Sequence, residues 1–258
     1  MGINMEKNLI YDDERVNKVN ENLSLIEKIK GLTFGTDAYM LAAFIRNHKY
    51  MKAAELGSGT GIISLLCGSR GKFAHITAIE VQKDFYDLSK RNIEYNSMSD
   101  IITPLCMDIR AVRVDNIGYE LDAVFTNPPY MPKDSGKRNT HNEKFIARHE
   151  VYGGIDDFCA AGERLLKYGG AFYCVYRPDR LCDLLYSMRT HKLEPKRMTF
   201  ICANTSSVPS MVLIEAKKGA APSLSLTKTL FIYKDTEKGE PKIMTDEALG
   251  IYEQCSFT

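Results

Sequence analysis

Two short segments carry residue types that could do chemistry. The first is Asn127-Pro128-Pro129-Tyr130. Each proline fixes φ and removes a backbone N–H, so the carbonyl between them lacks a local donor and can point into a site. The apolar run 121–126 before this tetrapeptide reads as a strand, and in a parallel sheet the carboxyl end of a strand is where ligands bind. The second segment is Glu55-Leu56-Gly57-Ser58-Gly59-Thr60-Gly61, between a predicted strand and a predicted helix. Glycines there permit a tight turn and bring a ligand close to the N–H groups at the helix start.

The acids around the glycine loop narrow the ligand. Glu80 ends the next predicted strand, about 20 residues further on, where a carboxylate can accept both ribose hydroxyls of an adenosine. A dinucleotide loop needs its third glycine at position 62, but this chain has Ile62 there and Gly61 one residue earlier. Glu55 lies two residues before the first glycine. An acid repels a pyrophosphate and attracts a sulfonium or ammonium group. The loop therefore fits S-adenosylmethionine better than NAD. Asp108, at the end of a third strand, is placed either to accept from the adenine amino group or to stand solvated. The expected cofactor site comprises Glu55, Gly57, Ser58, Gly59, Gly61, Glu80, Val81, Asp108, Ile109 and Asn127.

These residues need a scaffold, and the sequence pattern supplies one. Strand-like runs at 53–56, 75–81, 101–107, 121–126 and 171–176 alternate with helical patterns at 62–67, 82–95, 156–167 and 179–190. Gly169-Gly170 is expected to end the third of these helices. Repeated β–α units predict a mostly parallel sheet with helices on both faces. Runs at 196–202 and 210–216 have little between them and should pair antiparallel. A strand at 230–233 and a helix at 245–252 complete the chain. Ahead of this core, Leu23–Ile26 and Leu32–Phe34 flank a charged stretch with Gly31, which predicts a short hairpin. Thr36 or Asp37 then caps a helix over 38–45. The expected fold is α/β and Rossmann-like, with seven strands, the last antiparallel. It forms one domain over 1–258: an extension at 1–35, a core at 36–218, and a terminal strand and helix at 219–258.

Composition sets outer limits. With 44% hydrophobic and 26% charged residues the 258-residue chain can bury a core and is neither disordered nor fibrous. A formal net charge of +1 excludes a basic nucleic-acid-coating protein, although a local basic face is compatible with it. No apolar run approaches the ~20 residues that span a bilayer, and the polar start has no signal-peptide core. The expected location is cytoplasmic. The cysteines at 67, 106, 159, 174, 182, 202 and 255 form no CxxC pair, so neither a metal site nor a disulfide framework is expected. Cys106, Cys174 and Cys202 lie in strand-like runs and are expected in the core.

Together, the Glu55–Gly61 loop, Glu80, Asp108 and Asn127-Pro128-Pro129-Tyr130 resemble the class I S-adenosylmethionine-dependent methyltransferases with an NPPY motif, which methylate planar nitrogens. The resemblance covers nearly the whole chain. It implies that the Asn127 side-chain carbonyl and the Pro128 main-chain carbonyl accept the two N–H bonds of the acceptor nitrogen, with Pro129 holding the turn. That grip would push the nitrogen toward sp3 character and aim its lone pair at the methyl group. Tyr130 would stack on the planar group, flipped out of any base stack. Phe34, Thr36 and Asp37 match a segment that closes over the methionine end of the cofactor, with ordinary helix capping as the rival role.

The flanks bear on the acceptor. Glu14-Arg15-Val16, the 23–26 strand and Phe34-Gly35-Thr36-Asp37-Ala38 resemble the opening of bacterial tRNA(Val) adenine-N6 methyltransferases, and the segment from Leu230 to Tyr252 resembles their tail. This resemblance implies methylation of the adenine beside the anticodon. The same chemistry on a protein glutamine amide or on rRNA guanine N2 is the alternative, and an RNA-binding assembly factor without activity is the non-enzymatic one. Neither flank is long enough for the added recognition domains usual in the relatives that act on protein or DNA. RNA contact is therefore expected from the segment after NPPY, where Lys133, Lys137, Arg138, Lys144 and Arg148 lie among three acids, with His141 and His149 read as surface histidines.

Overall fold

The computed structural model describes residues 9–30, 35–129, 153–237 and 240–257. A hairpin opens the chain, with β1 (Glu14–Asn20) antiparallel to β2 (Leu23–Lys28). Then follow α1 (Thr36–Phe44), β3 (His48–Leu56), α2 (Ile62–Ser69), β4 (Phe73–Glu80), α3 (Lys83–Tyr95), β5 (Ile102–Cys106), the single turn α4 (Val114–Ile117) and β6 (Leu121–Thr126). The second half holds α5 (Ile155–Leu165), β7 (Leu166–Tyr176), α6 (Leu181–Thr190), β8 (Leu193–Cys202), β9 (Pro209–Lys218), the two-residue strands β10 (Ser225–Leu226) and β11 (Leu230–Phe231), and α7 (Asp246–Gln254).

The main sheet runs β10-β8-β9-β7-β6-β3-β4-β5, and β11 also pairs with β8. The expected seven long strands are all present, and β9 is antiparallel to both β7 and β8. The chain winds from β3 outward to β5, then returns to lay β6 on the other side of β3. That reversal opens a crevice at the carboxyl ends of β3 and β6. Because side chains alternate along a strand, both faces of the central strands are apolar. Ala53, Phe125, Tyr173 and Leu213 join one core with α1, α2 and α7. Ala54, Val124, Phe172 and Val212 join the other with α5 and α6.

Several expectations are corrected. The hairpin pairs residues 23–28 with 14–20; Leu32–Phe34, the partner expected from sequence, lie outside the described residues. Asn20 to Leu23 supplies the tight turn, and Glu14 and Arg15 register against Lys28 and Glu27 as opposite charges. Neither Thr36 nor Asp37 caps α1: the N-cap is Gly35, and both residues lie in the first turn. Gly169-Gly170 does not end a helix. α5 stops at Leu165, and the two glycines lie in a bulge of β7, where Leu166 and Ala171 pair with Leu121 and Ala123. A Cβ on Gly170 would stand 2.9 Å from the Lys167 carbonyl and 3.2 Å from that of Asp122, so the bulge requires glycine. Cys106 is exposed because β5 is an edge strand, whereas Cys174 and Cys202 are buried as expected.

Candidate active site

Strand β3 delivers the glycine loop. Gly57, Gly59 and Gly61 all have positive φ (70°, 54° and 82°), so the loop turns through conformations that side chains disfavour. Gly57 and Ser58 both donate to the Ile79 carbonyl, at 2.9 and 3.0 Å, which ties the loop to β4. A Cβ on Gly57 would press the Phe158 ring at 3.3 Å, while one on Gly59 would meet nothing within 4 Å. The loop is thus packed beneath at Gly57 and open at Gly59.

The acids occupy defined places. Glu55 is fully buried beneath the loop, where its Oε2 accepts from the Ser64 N–H at 2.9 Å and from the Ser64 hydroxyl. Burial pushes its carboxyl up to about 8. Glu80 is also buried; Oε2 accepts from the Gly59 N–H at 2.9 Å and Oε1 from the Gln82 N–H at 2.8 Å. Burial raises its pKa as well. Each carboxylate oxygen keeps a second lone pair for a hydroxyl donor. Asp108 is held by Arg110, which donates from Nε to both carboxylate oxygens at 3.0 Å and from its terminal nitrogen at 2.5 Å. That contact lowers the Asp108 pKa. Arg110 was not foreseen, although an arginine two residues after a strand-end Asp is a local signal for such a clasp.

Strand β6 delivers the third part. Leu56 pairs with Thr126, so the glycine loop and Asn127-Pro128-Pro129 leave adjacent strands side by side. The Thr126 hydroxyl donates to the Leu56 carbonyl at 2.9 Å and locks the two strand ends together. Asn127 Nδ2 donates to Asp37 Oδ2 at 2.8 Å, drawing in the start of α1. Tyr130, Lys133, Lys137, Arg138, Lys144 and Arg148, with His141 and His149, lie outside the described residues, as does Phe34.

The arrangement suits the cofactor inferred from sequence. The Ser58 hydroxyl is buried in the loop with no hydrogen-bond partner among the described residues, which leaves it available to a ligand. No basic side chain forms part of the Gly57–Gly61 loop, as a cationic ligand requires.

Comparisons with known proteins agree with this geometry. The methyltransferase small domain family model matches residues 30–182. The chain belongs to this family. A relative from Phocaeicola vulgatus named tRNA1(Val) (adenine(37)-N6)-methyltransferase is 27% identical over 71% of this chain and 76% of its own length. One of the same name from Bacteroides fragilis is 25% identical over 84% of both chains. One from Vibrio campbellii is 27% identical over a shorter stretch, 46% of this chain and 48% of its own. Among solved structures, a predicted O-methyltransferase from Agrobacterium tumefaciens superposes with a TM-score of 0.67 at 17% identity, covering 86% of this chain and 97% of the other. The fold is that of the class I S-adenosylmethionine-dependent methyltransferases, and the protein is a methyltransferase.

A cleft of about 680 Å³ adjoins the candidate site at Asp37. Thr36 and Asp37 line one wall, Tyr176 to Asp179 a second, and Pro209 to Met211 a third. The sequence reading missed it. The cleft exists because β9 inserts antiparallel beside β7 and sets Val212 opposite Tyr176, which brings the start of β9 to the edge where the parallel strands end.

Among the described residues no group of His, Cys, Asp and Glu could hold a metal ion, and no helix is long and apolar enough to cross a membrane.

Proposed function

We propose that this methyltransferase transfers a methyl group from S-adenosylmethionine to N6 of an adenine in tRNA, namely adenine 37, 3′ of the anticodon of tRNA(Val). The observation that carries the reading is the pairing of β3 with β6, which starts the glycine loop and the Asn127-Pro128-Pro129 turn side by side. A cofactor on the loop and an acceptor amine at Asn127 are then neighbours. The names of the relatives support the acceptor.

The bound cofactor supplies an electrophilic methyl group on a sulfonium; the remaining steps belong to the chain. Glu80 accepts the ribose hydroxyls, the Ser58 hydroxyl meets the methionine end, and Asp108 accepts from the adenine amino group. Val81 and Ile109 flank the adenine. The Asn127 side-chain carbonyl and the Pro128 carbonyl accept hydrogen bonds from the two N6–H groups, which localises the lone pair on nitrogen. With the lone pair aimed at the methyl group the cofactor would supply, the acceptor nitrogen gives up one N6 proton to water. Tyr130 stacks on the flipped base, with the adjacent cleft large enough for a nucleoside. The RNA backbone contacts Lys133, Lys137, Arg138, Lys144 and Arg148.

The test is transfer of radiolabelled methyl from S-adenosylmethionine to total tRNA, rRNA and release factor, followed by nucleoside and amino-acid analysis. N6-methyladenosine in tRNA is the expected product. Label confined to rRNA guanine or to glutamine would move the acceptor, and no label in any of the three would defeat the reading. Asn127→Ala is expected to lower the rate by about 10²–10³ while the cofactor still binds.

A further inference from the structure

We propose that Asp37 is the positioning residue of this reaction, because its carboxylate decides which end of the Asn127 amide faces the acceptor nitrogen. The inference rests on the acceptor role assigned above to Asn127. A side-chain amide has two ends of nearly the same shape and opposite hydrogen-bonding sense. The carbonyl end grips an N–H of the acceptor; the NH2 end repels it. Half a turn about the last side-chain bond therefore converts a working site into a blocked one.

The geometry removes that ambiguity. A carboxylate only accepts, so the end of Asn127 that meets Asp37 Oδ2 at 2.8 Å is the NH2 end. The carbonyl is then turned away from α1. Asp37 is itself held. Its Oδ1 takes the Ala38 N–H at 3.0 Å, at a helix start whose N-cap, Gly35, brings no capping side chain. A Cβ on Gly35 would stand 2.6 Å from Asp37 Oδ1, so the glycine keeps open the space the carboxylate fills. Ninety residues separate the two partners in sequence, and only the placement of α1 against the end of β6 joins them. The role differs from the sequence-derived one, in which Asp37 closes over the cofactor.

A reciprocal exchange in the full-length protein separates the two roles. The readouts are kcat and KM with tRNA, the Kd for S-adenosylmethionine by calorimetry, and the melting temperature. In Asp37→Asn the new amide donates as readily as it accepts, so Asn127 loses its fixed sense. We expect kcat to fall by about 10²-fold, with the cofactor Kd and the tRNA KM within about threefold of wild type. Asn127→Asp sets two carboxylates against each other and is expected to be inactive. The double variant, Asp37→Asn with Asn127→Asp, restores one donor opposite one acceptor. The amide, now on α1, donates to the carboxylate, now at the end of β6, whose other oxygen accepts from the substrate amine. Its kcat should exceed that of both single variants by about tenfold or more.

The proposal is overturned if the double variant is no better than the single ones, or if Asp37→Asn keeps wild-type kcat. It is equally overturned if Asp37→Asn loses cofactor affinity while kcat at saturating cofactor is retained, which would return Asp37 to the cofactor. In parallel, the Asn127 side-chain NH2 resonances of the substrate-free protein should lie downfield in wild type and move upfield in Asp37→Asn, where a neutral amide replaces the carboxylate acceptor. Unshifted resonances would sink the proposal. That signal needs no acceptor, so a wild-type chain that methylates no tRNA refutes the proposed function and leaves this contact separately decided.

Discussion

Glu55 illustrates what a buried carboxyl costs the fold. Its carboxyl is fully buried and takes both Ser64 donors, yet burial still holds its proton up to about pH 8. The folded state binds this proton more tightly than the unfolded state. The resulting stability is present below the ordinary carboxyl pKa of 4.5 and is lost as pH rises through 8. The ligand-free protein should therefore lose melting temperature between about pH 5 and 8.5. In Glu55→Gln that difference should shrink, because the amide cannot ionise. Equal slopes for the two proteins by calorimetry would show that Glu55 does not titrate in this range. A cationic ligand above the loop would favour the charged form, which is a physical reason for an acid at this place.

At the scale of elements, the N-terminal hairpin docks by imitation of a strand. Asn92 on α3 and Asn96, the C-cap residue one turn later, meet the free edge of β2. Asn92 Oδ1 accepts from the Ile26 N–H at 2.7 Å and its Nδ2 donates to the Ile26 carbonyl at 3.2 Å; Asn96 treats Ser24 the same way, at 3.0 and 2.7 Å. Asn92 Nδ2 also reaches the Thr60 carbonyl at 3.1 Å, so the hairpin and the glycine loop share one side chain. Asn92→Ala leaves buried backbone groups unpaired and should cost about 1–3 kcal/mol, read by urea denaturation. It should also weaken cofactor binding, which an Asn96→Ala change should not. Beside it, Glu14 is fastened to Arg91 at 2.6 and 2.7 Å. Burial opposes its charge, but Arg91, the Tyr11 N–H and Lys28 outweigh it and hold the carboxyl at about 2. This clasp stabilises above the ordinary carboxyl pKa of 4.5 and fails as pH falls from there toward 2. Arg91→Ala should flatten the acid limb of the denaturation curve.

At the scale of the whole molecule, α1 is the hub. It is buried along almost its whole length, as an apolar helix must be. Buried Lys72 donates to the Ala42 carbonyl at 2.7 Å and the Ile45 carbonyl at 2.5 Å, closing the helix C-terminus. Helix α7 braces the other flank, with the Tyr252 ring 4.8 Å from that of Tyr39 and the Phe257 ring edge-on to Phe44 at 5.7 Å. Lys72 of the core and the C-terminal segment thus fix the helix that carries Asp37. With a net charge of +1, the molecule has no global field to draw in RNA. Binding must then depend on local charge, and replacing Lys137 and Arg138 by Ala should reduce the slope of log K against log salt by about 1–2. An unchanged slope would place the phosphate contacts elsewhere.

The sequence by itself determined the sheet core, the glycine loop with Glu55 and Glu80, and the Asn127-Pro128-Pro129 turn. Those are local matters: apolar period, glycine where φ is positive, and proline where a donor is unwanted. It expected the N-terminal hairpin but did not name β1 as the partner of β2, whose other edge is satisfied by the side chains of Asn92 and Asn96 that no strand pattern reveals. It read Gly169-Gly170 as a helix stop, because a bulge that needs glycine for backbone clearance looks the same in sequence. Only the tertiary structure decided that Asp37 meets Asn127 and that the antiparallel β9 walls a cleft beside the candidate site. Each joins groups through packing, and a hydrogen bond across 90 residues leaves no periodic trace in the chain.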